Sequence, residues 1–388
     1  MVNRTRVAFL APSPPPVMGP SVATEVVLSE PPPSDLELCH IDTADRRSLQ
    51  ALGRIDLKNL WDAVHTYGRL LWLLLRRRPQ LVYVPISQTT LGYLRDSGLL
   101  LMARLFRRRT LLHLRGAYFR TWYERECGPW MRAWIRWTLR GAHGVIVLGE
   151  TLRPLFDGLV PPGAIHVVPN GEDYPELAAC PRRYEGRSDF SLLFLGNLIP
   201  SKGPGVLLRA VPAVLRRHPG ARFVFAGAWR DPRFKRWAVA FLDEHALHDR
   251  VTFTGPVDRA RKAALLRDAD LLVFPTYYRN EGHPWVIVEA LAAGLPIVST
   301  DRGCIRESVN GNGRLVPQED ADALAETLID LLGRPADLQR MAAASRVVHA
   351  ERFTRAHFRH RLFEAMRAAS GGAPDREVET PEPERACV

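Results

Sequence analysis

The sequence predicts an α/β protein made of two Rossmann-like, doubly wound domains that face each other across a cleft. Three observations lead there. The chain has 388 residues, beyond the roughly 100–200 of a usual single domain, so two cores are expected. Short runs rich in Val, Ile, Leu and Phe alternate with longer helical patterns, which is how the βαβ units of parallel sheets read. One central stretch, NGEDYPELAACPRRYEGRSD (170–189), carries Gly, Pro and charge without any period and reads as a linker.

Taken in order, the first half offers six strand candidates: RVAFLA (6–11), LELCHI (36–41), LVYVPI (81–86), TLLHLR (110–115), GVIVLG (144–149) and AIHVVP (164–169). The second half offers six more: SLLFLG (191–196), RFVFAG (222–227), VTFTG (251–255), DLLVFP (270–275), LPIVST (295–300) and GRLVP (313–317). Each half thus has enough strands for its own sheet. The expected boundaries are an N-terminal domain over 1–172, a linker over 173–189 and a C-terminal domain over 190–352. A last helix over 353–370 is placed to cross back to the first domain. The tail, 371–388, is acidic, Pro-rich and poor in large apolar residues, and reads as disordered.

Charge narrows the partners without choosing one. With 53 Lys and Arg against 42 Asp and Glu, the net charge is +11, which suits phosphate, nucleic acid or an anionic membrane surface. No recognition-helix, zinc or RNA motif appears and the arginines are spread along the chain, so no nucleic-acid partner is expected. Three stretches mix Trp and Leu with arginine: RLLWLLLRRRP (69–79), RLFRRR (104–109) and WMRAWIRWTLR (130–140). They read as interfacial membrane helices, or equally as core helices with snorkelling arginines. The longest apolar run, LLWLLL (70–75), is far short of the roughly 20 residues a spanning helix needs. The start, MVNRTRVAFLAPSPPP, has too short an apolar run for a signal peptide and reads as a first strand. Five scattered cysteines, Cys39, Cys127, Cys180, Cys304 and Cys387, form no metal or disulfide pattern and fit a reducing compartment. The expectation is a cytoplasmic protein, soluble or peripheral at the inner face of a membrane.

Two stretches carry the chemistry. NEGHPWVIVEALAAG (280–294) sets Glu281 on the loop after the strand candidate DLLVFP, at a carboxyl end, where ligands of such sheets sit. Pro284 suits the first position of a helix, where its missing N–H costs nothing. The amides of Trp285 and Val286 are then donors without helical partners, fit for a phosphate or sugar oxygen. Glu289, deeper on the same helix, can accept two hydrogen bonds from a vicinal diol; an ordinary helix start with a solvated Glu289 fits the same residues. In FLGNLIPSKGPGVLLRA (194–210), Lys202 sits on a short Gly turn between a strand end and a helix start. There a lysine adds a point charge to the helix's positive end and suits a diphosphate, although a solvated surface lysine reads alike. The pair DAD (268–270) opens a strand and reads as structural, so no metal site is indicated.

Together these stretches resemble the retaining glycosyltransferases of family four, which have the GT-B fold. The shared pattern is G-x-L-x-x-x-K-G after a strand, then E-G-x-P-x-x-x-x-E-A about eighty residues on. VVPNGED (167–173), AGLPIVSTDRGCIRESV (293–309) and GNGRLVP (311–317) extend it, so residues 165–333 are covered closely. In the first half the likeness is limited to FLAPSPPPVMGPSVATEVVL and LLHLRGAYFRTWYE (111–124).

The resemblance implies roles residue by residue. Glu281 would contact the donor sugar near the reacting carbon, with Gly282 and His283 on the same turn, and Glu289 would hold the nucleotide ribose. Lys202, with the amides of Trp285 and Val286, would bind the diphosphate. Gly19 matches a glycine that lets backbone approach the donor phosphates or the acceptor, with Pro20 where the family often has a second glycine. Asn197 stands where the family usually has an arginine, so part of the expected cationic clamp must come from elsewhere. Cys304 replaces a common glycine. His113, and Arg115 beside it, are candidates to face the donor sugar or acceptor, and a buried, hydrogen-bonded histidine fits as well.

The implied reaction moves a sugar from a nucleotide diphosphate sugar to a hydroxyl with retention at the anomeric carbon. Negative charge grows on the leaving diphosphate, so preorganised donors there are the main expected catalytic contribution, and no metal or other cofactor is required. The basic Trp-rich stretches favour a lipid-linked glycan acceptor in polysaccharide or glycolipid synthesis. A sugar-nucleotide epimerase or phosphorylase on the same fold, or a catalytically inactive scaffold favoured by Asn197, remain as alternatives.

Overall fold

The computed structural model describes residues 4–44, 57–178 and 182–371. Cys180, Cys387, part of the linker and the acidic tail from 372 onward lie outside them. In the first half the chain runs β1 (Thr5–Ala11), α1 (Gly19–Leu28), β2 (Leu36–Asp42), α2 (Leu57–Arg76), β3 (Leu81–Ile86) and α3 (Thr90–Leu105). It continues through β4 (Arg109–Leu114), the single turn α4 (Phe119–Thr121), α5 (Pro129–Arg140), β5 (Gly144–Val147) and β6 (Ile165–Val167). After the short α6 (Pro175–Ala178) come β7 (Ser191–Leu195), α7 (Pro204–Arg217), β8 (Arg222–Ala226), α8 (Pro232–Glu244), β9 (Val251–Gly255) and α9 (Arg259–Asp268). The rest is β10 (Leu271–Phe274), α10 (Trp285–Ala292), β11 (Ile297–Thr300), α11 (Ile305–Ser308), β12 (Gly313–Val316), α12 (Ala321–Leu332), α13 (Pro335–Arg352) and α14 (Arg355–Ser370).

All twelve strand candidates are strands, and they form two six-stranded sheets, ordered β2-β1-β3-β4-β5-β6 and β12-β11-β10-β7-β8-β9. Every pairing is parallel, as short apolar strands covered by helices require. Alternation along the strands of the first sheet sorts its two faces. Leu10, Val82, Val84, Leu112 and Val145 face α2, α3 and α5, whereas Val7, Phe9, Leu81, Leu111 and Ile146 face α1 and α14. Helix α14 therefore packs on the first sheet although it follows the second sheet in the chain, anchored by Phe358, Leu362 and Met366. Arg367 clamps Asp35 from this helix with two hydrogen bonds of 2.7 and 2.8 Å, holding the Asp35 carboxyl below its ordinary range.

In each sheet the direction of winding reverses once, between β1 and β3 in the first and between β7 and β10 in the second. Loops that leave the carboxyl ends of such a pair diverge and open a crevice. The loop after β7 carries Asn197 and Lys202, and the loop after β10 carries Glu281.

Candidate functional site

Gly203 makes the lysine turn. Its φ is +85°, and a Cβ there would lie 2.0 Å from the Pro275 carbonyl oxygen, so both conformation and space call for glycine. The turn sets Lys202 against the neighbouring loop, where its Nζ donates to Glu281 Oε2 at 2.6 Å and Thr276 Oγ1 donates to the same oxygen at 3.0 Å. Both partners are largely buried, at 19% and 7% side-chain exposure, so Lys202 is no solvated surface residue. Its ammonium also lies 4.8 Å from the Tyr278 ring centre, a cation–π position.

Helix α10 follows. Pro284 is its N-cap rather than its first residue, with φ −66° and ψ 130°, and its carbonyl accepts from Ile287 N at 3.1 Å. The amides of Trp285 and Val286 precede that first helical bond, so they are end donors as the pattern suggested. Glu289 is buried, with 4% of its side chain exposed, and not the solvated residue an ordinary helix would carry. Its Oε1 accepts from Lys262 Nζ at 2.6 Å and from the Tyr174 hydroxyl at 3.3 Å. Burial first, and then the Glu289 charge, push the Tyr174 hydroxyl well above its ordinary range, so it stays protonated and donates.

The turn between the two glutamates joins the domains. His283 was expected beside the donor, but both its ring nitrogens are engaged: Nδ1 accepts from Asn170 N at 3.0 Å and Nε2 donates to Ser308 Oγ at 2.9 Å. Asn170 Nδ2 also donates to the His283 carbonyl at 2.7 Å. The side chain thus ties the end of the first domain to the second. Gly282 sits against Arg115, where an added Cβ would lie 2.9 Å from its carbonyl oxygen, and Gly19 sits against Trp285, where a Cβ would meet the indole at 3.1 Å. Glu307, the last residue of the AGLPIVSTDRGCIRE segment, crosses the same junction and accepts from Glu150 N, Thr151 N and Thr151 Oγ1 at 3.0, 2.8 and 2.6 Å. Cys304 takes its place beside it without strain, at φ −102°, and packs into the first domain's core.

Burial, and then the charge of Arg352, push the His283 imidazole down to about 3. An unfolded histidine titrates near 6.5, so on acidification the unfolded chain takes up a proton that the folded one refuses until about pH 3. Stability is lost as the pH falls through this window. The melting temperature is expected to drop from pH 6.5 towards 5, and less steeply in His283→Asn, which keeps an acceptor near Nδ1. Identical slopes would remove the ring as a source.

His113, at the end of β4, is fully buried and held well below the ordinary imidazole range by burial first and then by the charge of Arg115. Arg115 Nη2 donates to the Tyr83 hydroxyl at 3.1 Å, and that hydroxyl therefore donates its proton to His113 Nδ1 at 2.6 Å. The imidazole proton is left on Nε2, which has no partner among the described residues. The neutral ring thus offers one free donor at the carboxyl end of the first sheet. Asp270 is spent internally, on Arg187 and on Ser191 N at 2.8 Å. Sequence reasoning missed Lys262 and Tyr174. The first lies in α9, where Arg259, Arg261, Lys262 and Arg267 are all basic and the pattern singles out no position.

A Glycosyl transferase 4-like domain model matches residues 6–171 and a Glycosyl transferases group 1 model matches residues 189–334. A glycogen synthase of Mycobacterium tuberculosis is 31% identical over 217 residues, 54% of this chain and 50% of that protein. A phosphatidyl-myo-inositol mannosyltransferase of Mycolicibacterium smegmatis is 36% identical over 172 residues, 42% of each. The chain thus spans about half the length of the curated relatives it matches. Among solved structures, HepE of Anabaena in complex with UDP has a TM-score of 0.70 at 18% identity, covering 93% of this chain and 99% of that one. A glycosyltransferase from Rickettsia africae has a TM-score of 0.72 at 15% identity, covering 96% and 100%. Both halves of the chain match glycosyl transferase models, so the chain belongs to the group 1 glycosyltransferases, family four, of GT-B fold.

Proposed function

We propose that this protein transfers a sugar from a nucleotide diphosphate sugar to a hydroxyl acceptor, with retention at the anomeric carbon. The observation that carries the reading is the pair of buried glutamates, each neutralised by a lysine, at the winding reversal of the second sheet. Glu289 would take the ribose hydroxyls and Glu281 the donor sugar. Lys202 and the amides of Trp285 and Val286 would receive the charge that grows on the leaving diphosphate. The unpartnered Nε2–H of His113 would donate to a sugar hydroxyl. Charge compensation by these groups needs no metal, so transfer should persist in a chelator. Sugar interconversion or phosphorolysis draws no support from the two matching family models, which are both of glycosyl transferases.

The direct test is thermal stabilisation by a panel of nucleoside diphosphates and their sugars, since a ligand of the folded state raises the melting temperature with its concentration. One base and one sugar should stabilise most. No stabilisation by any uridine, guanosine, adenosine or cytidine diphosphate would overturn the reading.

We read the acceptor as a lipid-linked glycan reached from a membrane surface. Among the described residues no helix is long and apolar enough to cross a membrane, so contact would be peripheral. Helices α2, α3 and α5 lie on one face of the first sheet and expose Trp61, Trp72, Leu75, Leu105, Trp130 and Trp137. Arg69, Arg76, Arg136 and Arg140 are exposed on the same helices. This mixture suits an anionic interface, where each basic residue near the surface is worth about 1 kcal/mol. The similarity to phosphatidyl-myo-inositol mannosyltransferases is in keeping with it. The protein should sediment with vesicles containing phosphatidylglycerol and be released by high salt. Equal sedimentation with neutral vesicles, or none with either, would count against this surface.

A further inference from the structure

The turn lysine cannot by itself answer for the leaving group. Its charge is already matched by Glu281 at 2.6 Å, and a diphosphate brings more than one negative charge to the same place. The position where the family's arginine would help is occupied by Asn197. Beyond the ends of β7 and β8 the two loops remain zipped: Gly196 N donates to Ala226 O at 2.9 Å, Leu198 N to Ala228 O at 2.9 Å, and Arg230 N to Leu198 O at 3.4 Å. Gly227 permits this closeness, since a Cβ there would lie 1.8 Å from the Gly196 carbonyl oxygen. The zipper carries Arg230 alongside Asn197, whose Oδ1 accepts from Arg230 Nε at 3.3 Å. The neighbouring carboxylate, Asp231, is turned away to cap α8, accepting from Arg233 N at 2.8 Å and Phe234 N at 3.2 Å. Arg230 makes no ion pair among the described residues.

We propose that Arg230 is the second cation for the donor diphosphate, supplied by the loop after β8 and held in place by Asn197. The inference rests on the nucleotide-sugar reading of the site. A guanidinium anchored through Nε leaves its two NH2 groups for a ligand, and these can span two phosphate oxygens, which a lysine cannot do. Asn197 is then a positioning residue: an arginine in its place would meet Arg230 with like charge, so the two arrangements exclude each other.

The test is calorimetry on the full chain with the diphosphate among UDP, GDP, ADP and CDP that binds wild type, and with the matching monophosphate. Arg230→Ala should weaken the diphosphate by roughly tenfold or more, with far less effect on the monophosphate, and should lower turnover. Asn197→Arg in the Arg230→Ala background should restore part of the affinity, whereas Asn197→Arg alone should not improve on wild type. Lys202→Ala separates the levels of failure. If Lys202→Ala loses diphosphate affinity and Arg230→Ala does not, Arg230 is a surface residue and this inference falls alone. Equal losses of mono- and diphosphate in Arg230→Ala would show a merely structural role and overturn it too. If wild type binds no nucleoside diphosphate, the underlying reading falls and this inference with it.

Discussion

Lys202→Ala should slow turnover by about a hundredfold or more, the usual loss when one preorganised donor to a developing charge is removed, while the Michaelis constant changes much less. The asymmetry follows from when the charge appears. The diphosphate is most negative as the bond to the sugar breaks, so a cation there stabilises the transition state more than the bound donor. The free protein adds a second effect. Lys202 donates to Glu281 at 2.6 Å, and without it the buried carboxylate keeps, among the described residues, Thr276 Oγ1 at 3.0 Å. Glu281 would then be less well placed beside the donor sugar, which again acts on turnover. Steady-state transfer with a matched donor and acceptor measures both constants, and a melting curve checks that the variant folds. Adding Asn197→Arg should not recover the loss while Arg230 is present, because the new guanidinium removes the Asn197 Oδ1 that accepts from Arg230 Nε and repels it. Near-normal turnover in a folded Lys202→Ala would remove this lysine from the diphosphate site.

Glu289→Ala should weaken nucleotide binding rather than the chemical step. Two charge-assisted hydrogen bonds to the ribose are worth roughly 1.5–3 kcal/mol, or about ten- to a hundredfold in affinity for the nucleoside diphosphate. Glu289 keeps one lysine partner, Lys262, and one hydroxyl partner, Tyr174, in the free protein, so its carboxylate is oriented before any ligand arrives. Glu289→Gln, which keeps one acceptor, should lose less. Calorimetry with the nucleoside diphosphate decides the matter, and unchanged affinity for the alanine variant would place the ribose elsewhere.

Much of the fold was legible in the sequence because parallel strands covered by helices are written as short, continuous apolar runs, and all twelve such runs became strands. The positions of Lys202 and Glu281 were legible for a related reason: each sits on a loop directly after a strand, and a strand's carboxyl end is where such sheets put ligands. Two corrections mark the limit of that reasoning. Pro284 caps α10 instead of opening it, a shift of one residue that periodicity does not resolve. His283, beside the glutamate, looked like a donor contact, yet its ring is consumed by Asn170 and Ser308 at the junction of the domains.

What the sequence by itself determined was thus local: strand and helix type, the loops that bear the charged residues, and the departure at Asn197. The tertiary structure alone decided which charges meet. Lys262 is 27 residues from Glu289, Lys202 is 79 from Glu281, and Arg230 is 33 from Asn197. The Lys202–Glu281 pair depends on strand order in the sheet, where β7 lies against β10 although β8 and β9 come between them in the chain. The physical reason is that hydrophobic periodicity records which face of an element is buried, whereas the partner of a buried charge is set by how separate elements are laid side by side.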